Sequence, residues 1–107
     1  MKKSKSKNVK LNIGGWEYEI ITSNPEKSPN LKGDNRDIEL LGCICFDENK
    51  IYINDRLKGP KKAFTILHEL LHAIFSNMNN GPTKESFVKP FSHMLYNALK
   101  QIKWQAI

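Results

Sequence analysis

The amino-acid sequence predicts an α+β protein, with a small antiparallel sheet of about four strands packed on two helices. Three patterns carry that expectation. Apolar residues alternate with polar ones on both sides of Gly14-Gly15. Two further β-rich runs flank the polar stretch Asp47-Glu48-Asn49-Lys50. Beyond residue 60, apolar residues recur at three- and four-residue spacing, the period of a helix with one buried face.

Taken in order, Val9, Leu11 and Ile13 form the first alternating run, and Trp16, Tyr18 and Ile20 the second. Gly-Gly between two such runs reads as a β-hairpin. Residues 23–37 are rich in Ser, Asn, Pro, Gly and Asp and read as a loop with room for one short turn of helix. So long a loop in so small a chain frames a site or moves. Ile38 to Phe46 and Ile51 to Asn54 give the second hairpin. Gly59-Pro60 marks a helix start, and Phe64, Leu67, Leu70, Leu71, Ile74 and Met78 form its apolar stripe. Asn79-Asn80-Gly81-Pro82 ends it. A second helix is expected from about Thr83 to Trp104, with Val88, Phe91, Leu95, Leu99 and Ile102 on its buried face. Pro90 should bend it or mark its true first turn.

At 107 residues the chain holds one core, not two. The expected organisation is a basic, solvated arm over residues 1–8 and one domain over 9–107. The formal charge of +6 points towards nucleic acid until it is located. Five of the 17 basic residues, Lys2, Lys3, Lys5, Lys7 and Lys10, lie in the first ten positions, which contain no acid. The remainder holds 12 basic and 11 acidic residues and is nearly neutral. The arm therefore offers weak, salt-sensitive contact to acidic surfaces rather than a specific nucleic-acid site. No apolar run is long enough to span a bilayer, and no apolar segment follows the basic start, so a cytoplasmic protein without membrane contact is expected. Cys43 and Cys45 are two apart on a predicted strand, a spacing awkward to bridge, and read as reduced thiols.

The chemistry concentrates in His68-Glu69-Leu70-Leu71-His72, an HExxH pattern inside the first predicted helix. Residues i and i+4 stand one turn apart on one face, so both imidazoles can reach one metal ion, and neutral imidazole is a good zinc ligand. Glu69 is then placed to take a proton from water acidified by that ion. With three His and seven Glu in the chain, chance would produce this pattern in roughly 0.5% of such compositions, so the spacing carries information.

A catalytic zinc site takes three protein ligands and keeps one open position. Glu85 and His93, both on the second predicted helix, are the candidates for the third. Glu85 is preferred because it sits in the first turn, where a carboxylate can face back across the helix pair. There it also complements the helix dipole. His93 is the alternative ligand or a donor to the developing oxyanion. Tyr96 and Tyr52 are further oxyanion candidates, with a packing role favoured for each.

The run Ile13-Gly14-Gly15-Trp16-Glu17-Tyr18, then Leu41-Gly42, Lys50-Ile51-Tyr52-Ile53, Thr65 through Ile74 around the HExxH pattern, and Glu85-Ser86-Phe87-Val88 resembles small phage and bacterial zinc metallopeptidases. These are minimal gluzincins akin to the ImmA/IrrE-like peptidases. The similarity covers roughly residues 9–102, and only the extended HExxH segment is highly specific. The resemblance implies an antiparallel sheet against two helices, His68, His72 and Glu85 as zinc ligands, and Glu69 as general base.

The expected function is thus zinc-dependent hydrolysis of a peptide or protein substrate lying along a strand near residues 42–46. The alternative is a non-catalytic, metal-holding module that contacts a host or phage protein.

Overall fold

The computed structural model describes residues 8–33, 39–79 and 83–104. The Lys-rich arm, apart from Asn8, lies outside them. In chain order the elements are β1 (Asn8–Ile13), β2 (Trp16–Ser23), a 3-10 turn (Pro29–Leu31), β3 (Gly42–Cys45), β4 (Lys50–Asn54), α1 (Gly59–Asn79) and α2 (Glu85–Gln101). The architecture is α+β, a four-stranded sheet with two helices.

Both hairpins form as the sequence predicts. Gly14 and Gly15 take φ of 61° and 93°, the left-handed pair that a tight two-residue turn requires, and Ile13 closes it against Trp16. The Gly15 amide also donates to Asn12 Oδ1 at 2.9 Å. In the second hairpin Asn49 supplies the positive φ, 54°, and Cys45 pairs with Lys50.

The sheet is mixed rather than antiparallel. Its order is β1-β2-β4-β3, and β2 and β4 run parallel, with Ile20 opposite Ile51 and Thr22 opposite Ile53. The cause is burial. A strand with neighbours on both sides should be the most apolar one, and Ile51 and Ile53 are fully buried. The β3–β4 hairpin folds β4 back beside β2, so β4 takes the inner place. β3, with one glycine and two cysteines, is left at the edge.

One sheet face and α1 share the core of Ile13, Tyr18, Ile20, Ile51, Ile53, Leu57 and Ala73, extended by Leu11, Ile44, Ile66 and Leu70. Asn77 fixes the helix along the sheet by donating to the Tyr18 hydroxyl at 3.3 Å and to the Ala73 carbonyl at 2.9 Å. α2 packs on α1 through buried Val88 and Ser92 and through a cluster of Phe75, Phe87 and Phe91 with ring centroids 5.1–5.6 Å apart. Pro90 lies inside α2, which continues through it. The carbonyl that loses a partner there belongs to exposed Ser86, where water can replace the missing N–H. No helix among the described residues is long and apolar enough to cross a membrane.

The segment predicted as strand from Ile38 enters β3 only at Gly42. Leu40 and Leu41 are pinned instead by single bonds. Leu40 N–H donates to the Leu31 carbonyl at 2.8 Å, and Asn54 N–H to the Leu41 carbonyl at 2.9 Å. Buried Asn54 adds side-chain bonds to the Leu40 carbonyl and to Glu39. Arg56 bridges Glu39 and Glu26. Burial would raise the Glu39 pKa, but its bonds from Arg56 and Asn54 outweigh this and hold it below the ordinary carboxyl value.

Candidate metal centre

α1 presents His68, Glu69 and His72 within two turns. His68 and His72 share one face, their rings 5.0 Å apart between centroids at 71°. The first turn of α2 brings Glu85 across to both. Its Oε2 lies 2.8 Å from His68 Nε2 and its Oε1 2.6 Å from His72 Nε2. The three ligand atoms stand within 4.8 Å of one another, close enough to hold a metal ion. Among the described residues no other His, Cys, Asp or Glu joins this group.

The hydrogen-bond logic of the cluster is informative. A carboxylate oxygen is only an acceptor, so each short approach to an imidazole nitrogen requires a proton or a cation between them. On the far side of His68, Ser92 Oγ lies 3.3 Å from Nδ1. Ser92 is fully buried and donates its single proton to the Val88 carbonyl at 2.7 Å. Its lone pair is what remains for His68, an arrangement that suits a proton on Nδ1 and leaves Nε2, which faces Glu85, available to a cation. Burial by itself would raise the Glu85 pKa, but hydrogen bonds from His72 and His68, and their charge, lower it overall.

Glu69 lies between the cluster and β3, its side chain against Gly42 and lining one cavity with His68 and Glu85. It is 8% exposed, and no hydrogen bond holds its carboxylate among the described residues. Burial, with the nearby Glu85 charge, pushes its pKa up to about 7. Gly42 makes room for this side chain. The same neighbourhood reaches Cys43, whose thiol pKa is raised by burial, by Glu69 and by Cys45. Both cysteines are free, half-buried thiols, and neither belongs to the metal-capable group.

Of the other residues read from the sequence, His93 is not brought to the cluster. It stacks on Phe64 at 4.4 Å between ring centroids. Tyr96 meets the same ring edge-on at 5.8 Å. Tyr52 sits on β4 between Ile21 and Cys43. Ser92 was invisible to motif reading, although its position seven residues after Glu85 places both on one face of α2.

Beside the centre lies a cavity of about 370 Å³ whose walls include Leu41, Gly42, Phe64 and Thr65. No known family model matches the chain, and no curated protein or solved structure matches it.

Proposed function

We propose that the protein is a zinc metallopeptidase of gluzincin type. One observation carries the reading: two imidazoles and one carboxylate converge on a point beside a second, buried carboxylate. The donor set fits zinc, which takes two histidines and a glutamate at catalytic centres and keeps a position open. His68, His72 and Glu85 would hold the ion. Bound there, zinc would polarise the scissile carbonyl and acidify the attacking water.

The chain's own residues do the rest. Glu69 takes the proton of the attacking water and returns it to the leaving amine, one carboxylate serving as base and then acid. Ser92 holds His68 in the tautomer that exposes Nε2. β3 is an edge strand among the described residues, and an extended substrate could add beside it as a further strand.

A second reading is a metal-holding module that binds a host or phage protein without cleaving it. It is favoured by the openness of the centre, where the Glu85 side chain is 60% exposed. Incubating the zinc-loaded protein with a denatured-protein or peptide library separates the two. Chelator-sensitive cleavage, lost in Glu69→Gln, supports the peptidase. Metal binding with no cleavage of any library member supports the module.

A further inference from the structure

We infer that the cavity beside the metal centre reads substrate composition, admitting an apolar side chain from a peptide whose adjacent residues are acidic. This rests on the peptidase reading for the position of the substrate, and on three observations for its chemistry.

The first is the lining. Leu41, Phe64 and Thr65 make a largely apolar wall, and the volume of about 370 Å³ is of the size of a small ligand site. Phe64 is held by its contacts with His93 and Tyr96. Leu41 is held by the Asn54 bond to its carbonyl. The walls are thus preformed.

The second is charge. Lys61 on α1 and Lys89 on α2 stand at the same cavity, exposed. Among the described residues neither makes an ion pair. For Lys89 the reason is geometric. Glu85, one turn before it, is the partner that helical spacing offers, but both Glu85 oxygens face the histidines. Two ammonium groups without an ion-pair partner among the described residues, one from each helix, therefore stand at a cavity whose other charged walls are Glu69 and the histidine-bound Glu85. A divalent ion held by His68, His72 and Glu85 would more than offset the Glu85 charge and leave the mouth of the cavity positive. Acidic residues flanking the bound side chain answer that charge; basic ones are repelled.

The third is access. β3 is the sheet edge and Gly42, at its start, lines the cavity. In an added strand, alternate side chains point to one face. A peptide paired along β3 can thus seat one side chain in the hollow while neighbours along the strand pass the lysines.

The test measures binding and cleavage separately. Fluorescein-labelled nonapeptides carry a central Leu flanked by two Glu on each side, the same Leu flanked by Lys, or a central Ser flanked by Glu. Binding to zinc-loaded Glu69→Gln protein is read by anisotropy. The Glu-flanked Leu peptide should bind at least about tenfold more tightly than either other peptide, and each of Lys61→Glu and Lys89→Glu should weaken it by roughly two- to fivefold. The double charge reversal should make the Lys-flanked peptide the better ligand. Both lysines are exposed, so zinc content and circular dichroism should be unchanged and serve as controls. An order of affinity that survives the double reversal, equal binding of the Leu and Ser peptides, or no binding of any peptide overturns the inference. Cleavage of the same peptides by the wild-type protein is scored independently. Preferential binding without cleavage sinks the peptidase reading and leaves this one standing; cleavage without preference does the reverse.

Discussion

Gly42 and Glu69 occupy space that only a glycine leaves free. A β-carbon on residue 42 would stand 3.2 Å from Glu69 Cγ and 3.3 Å from Oε2, and 2.9 Å from Thr65 Cγ2. The last distance is shorter than real side chains tolerate, and its neighbours are packed between β3 and α1. Gly42→Ala should therefore push β3 off α1 or displace Glu69. Overpacking of this kind costs about 1–3 kcal/mol of stability. We expect metal affinity to stay near wild type, since the three ligands lie on the helix pair, while turnover falls at least about tenfold as the base is misplaced. Thr65→Ser removes the closest methyl and should restore part of both losses. Metal titration, denaturant melts and cleavage rates on the single and double variants check this; an additive double variant would mean the two residues do not press on each other.

Glu69→Gln tests the role of the carboxylate directly. The amide keeps the shape but cannot take a proton. Zinc should still bind, and hydrolysis should fall by roughly 10²–10⁴-fold, the range supplied by a positioned general base. Full activity in this variant would remove Glu69 from the mechanism.

The same residue predicts a pH dependence of stability in the metal-free protein. Its folded pKa is raised to about 7 from 4.5. Between these values the native state holds the proton that the unfolded chain releases, so unfolding free energy falls as pH rises. The stabilising contribution is complete below pH 4.5 and lost on passing through 7, and it is worth at most about 3 kcal/mol. Urea unfolding in excess chelator, taken as wild type minus Glu69→Gln, isolates this group from the opposite titration of Glu85. The difference should decline across that window and flatten above about pH 8. A flat difference throughout would show that Glu69 is not desolvated.

These features were unequally visible in the sequence. The left-handed Gly14-Gly15 turn, the one-turn spacing of His68 and His72 and the α1 stripe from Phe64 to Leu71 are local patterns that survive folding, whereas Ile74 and Met78 at the end of that stripe are exposed. The parallel pairing of β2 with β4 is not local. Alternation identifies a strand without naming its neighbour, so two hairpins suggested an antiparallel sheet, and only the burial of Ile51 and Ile53 places β4 inside. Leu40 and Leu41 resemble strand residues but are held by bonds to Leu31 and Asn54 that no spacing announces. The third ligand was legible as a choice between Glu85 and His93, because both lie on α2; the choice depends on how that helix rotates against α1.

That rotation makes a sharp comparison of the two candidates. Glu85→Ala should lower metal affinity by at least about 100-fold, since it removes one of three ligands and leaves two imidazoles. His93→Ala should leave affinity within about twofold, because its ring stacks on Phe64 at 4.4 Å and stands outside the metal-capable group. Competition against a chromophoric chelator measures both. The reverse ranking would mean that His93 is the ligand in solution.

Ser92 is the position where a modest substitution should reach the metal through a second residue. Its hydroxyl is fully buried, donates to the Val88 carbonyl at 2.7 Å and leaves a lone pair facing His68 Nδ1 at 3.3 Å. Ser92→Ala removes that acceptor while deleting a single atom, so little packing is lost. A histidine ligand without its outer partner is free to rotate and to take the wrong tautomer, and such losses lower metal affinity by roughly 10–100-fold. The expected result is weaker binding with an unchanged fold. In the metal-loaded wild-type protein, ¹⁵N-detected imidazole spectra should place the His68 proton on Nδ1, and in Ser92→Ala that proton should exchange faster with water. Unchanged affinity together with an unchanged Nδ1 proton would reduce Ser92 to a packing residue between the two helices.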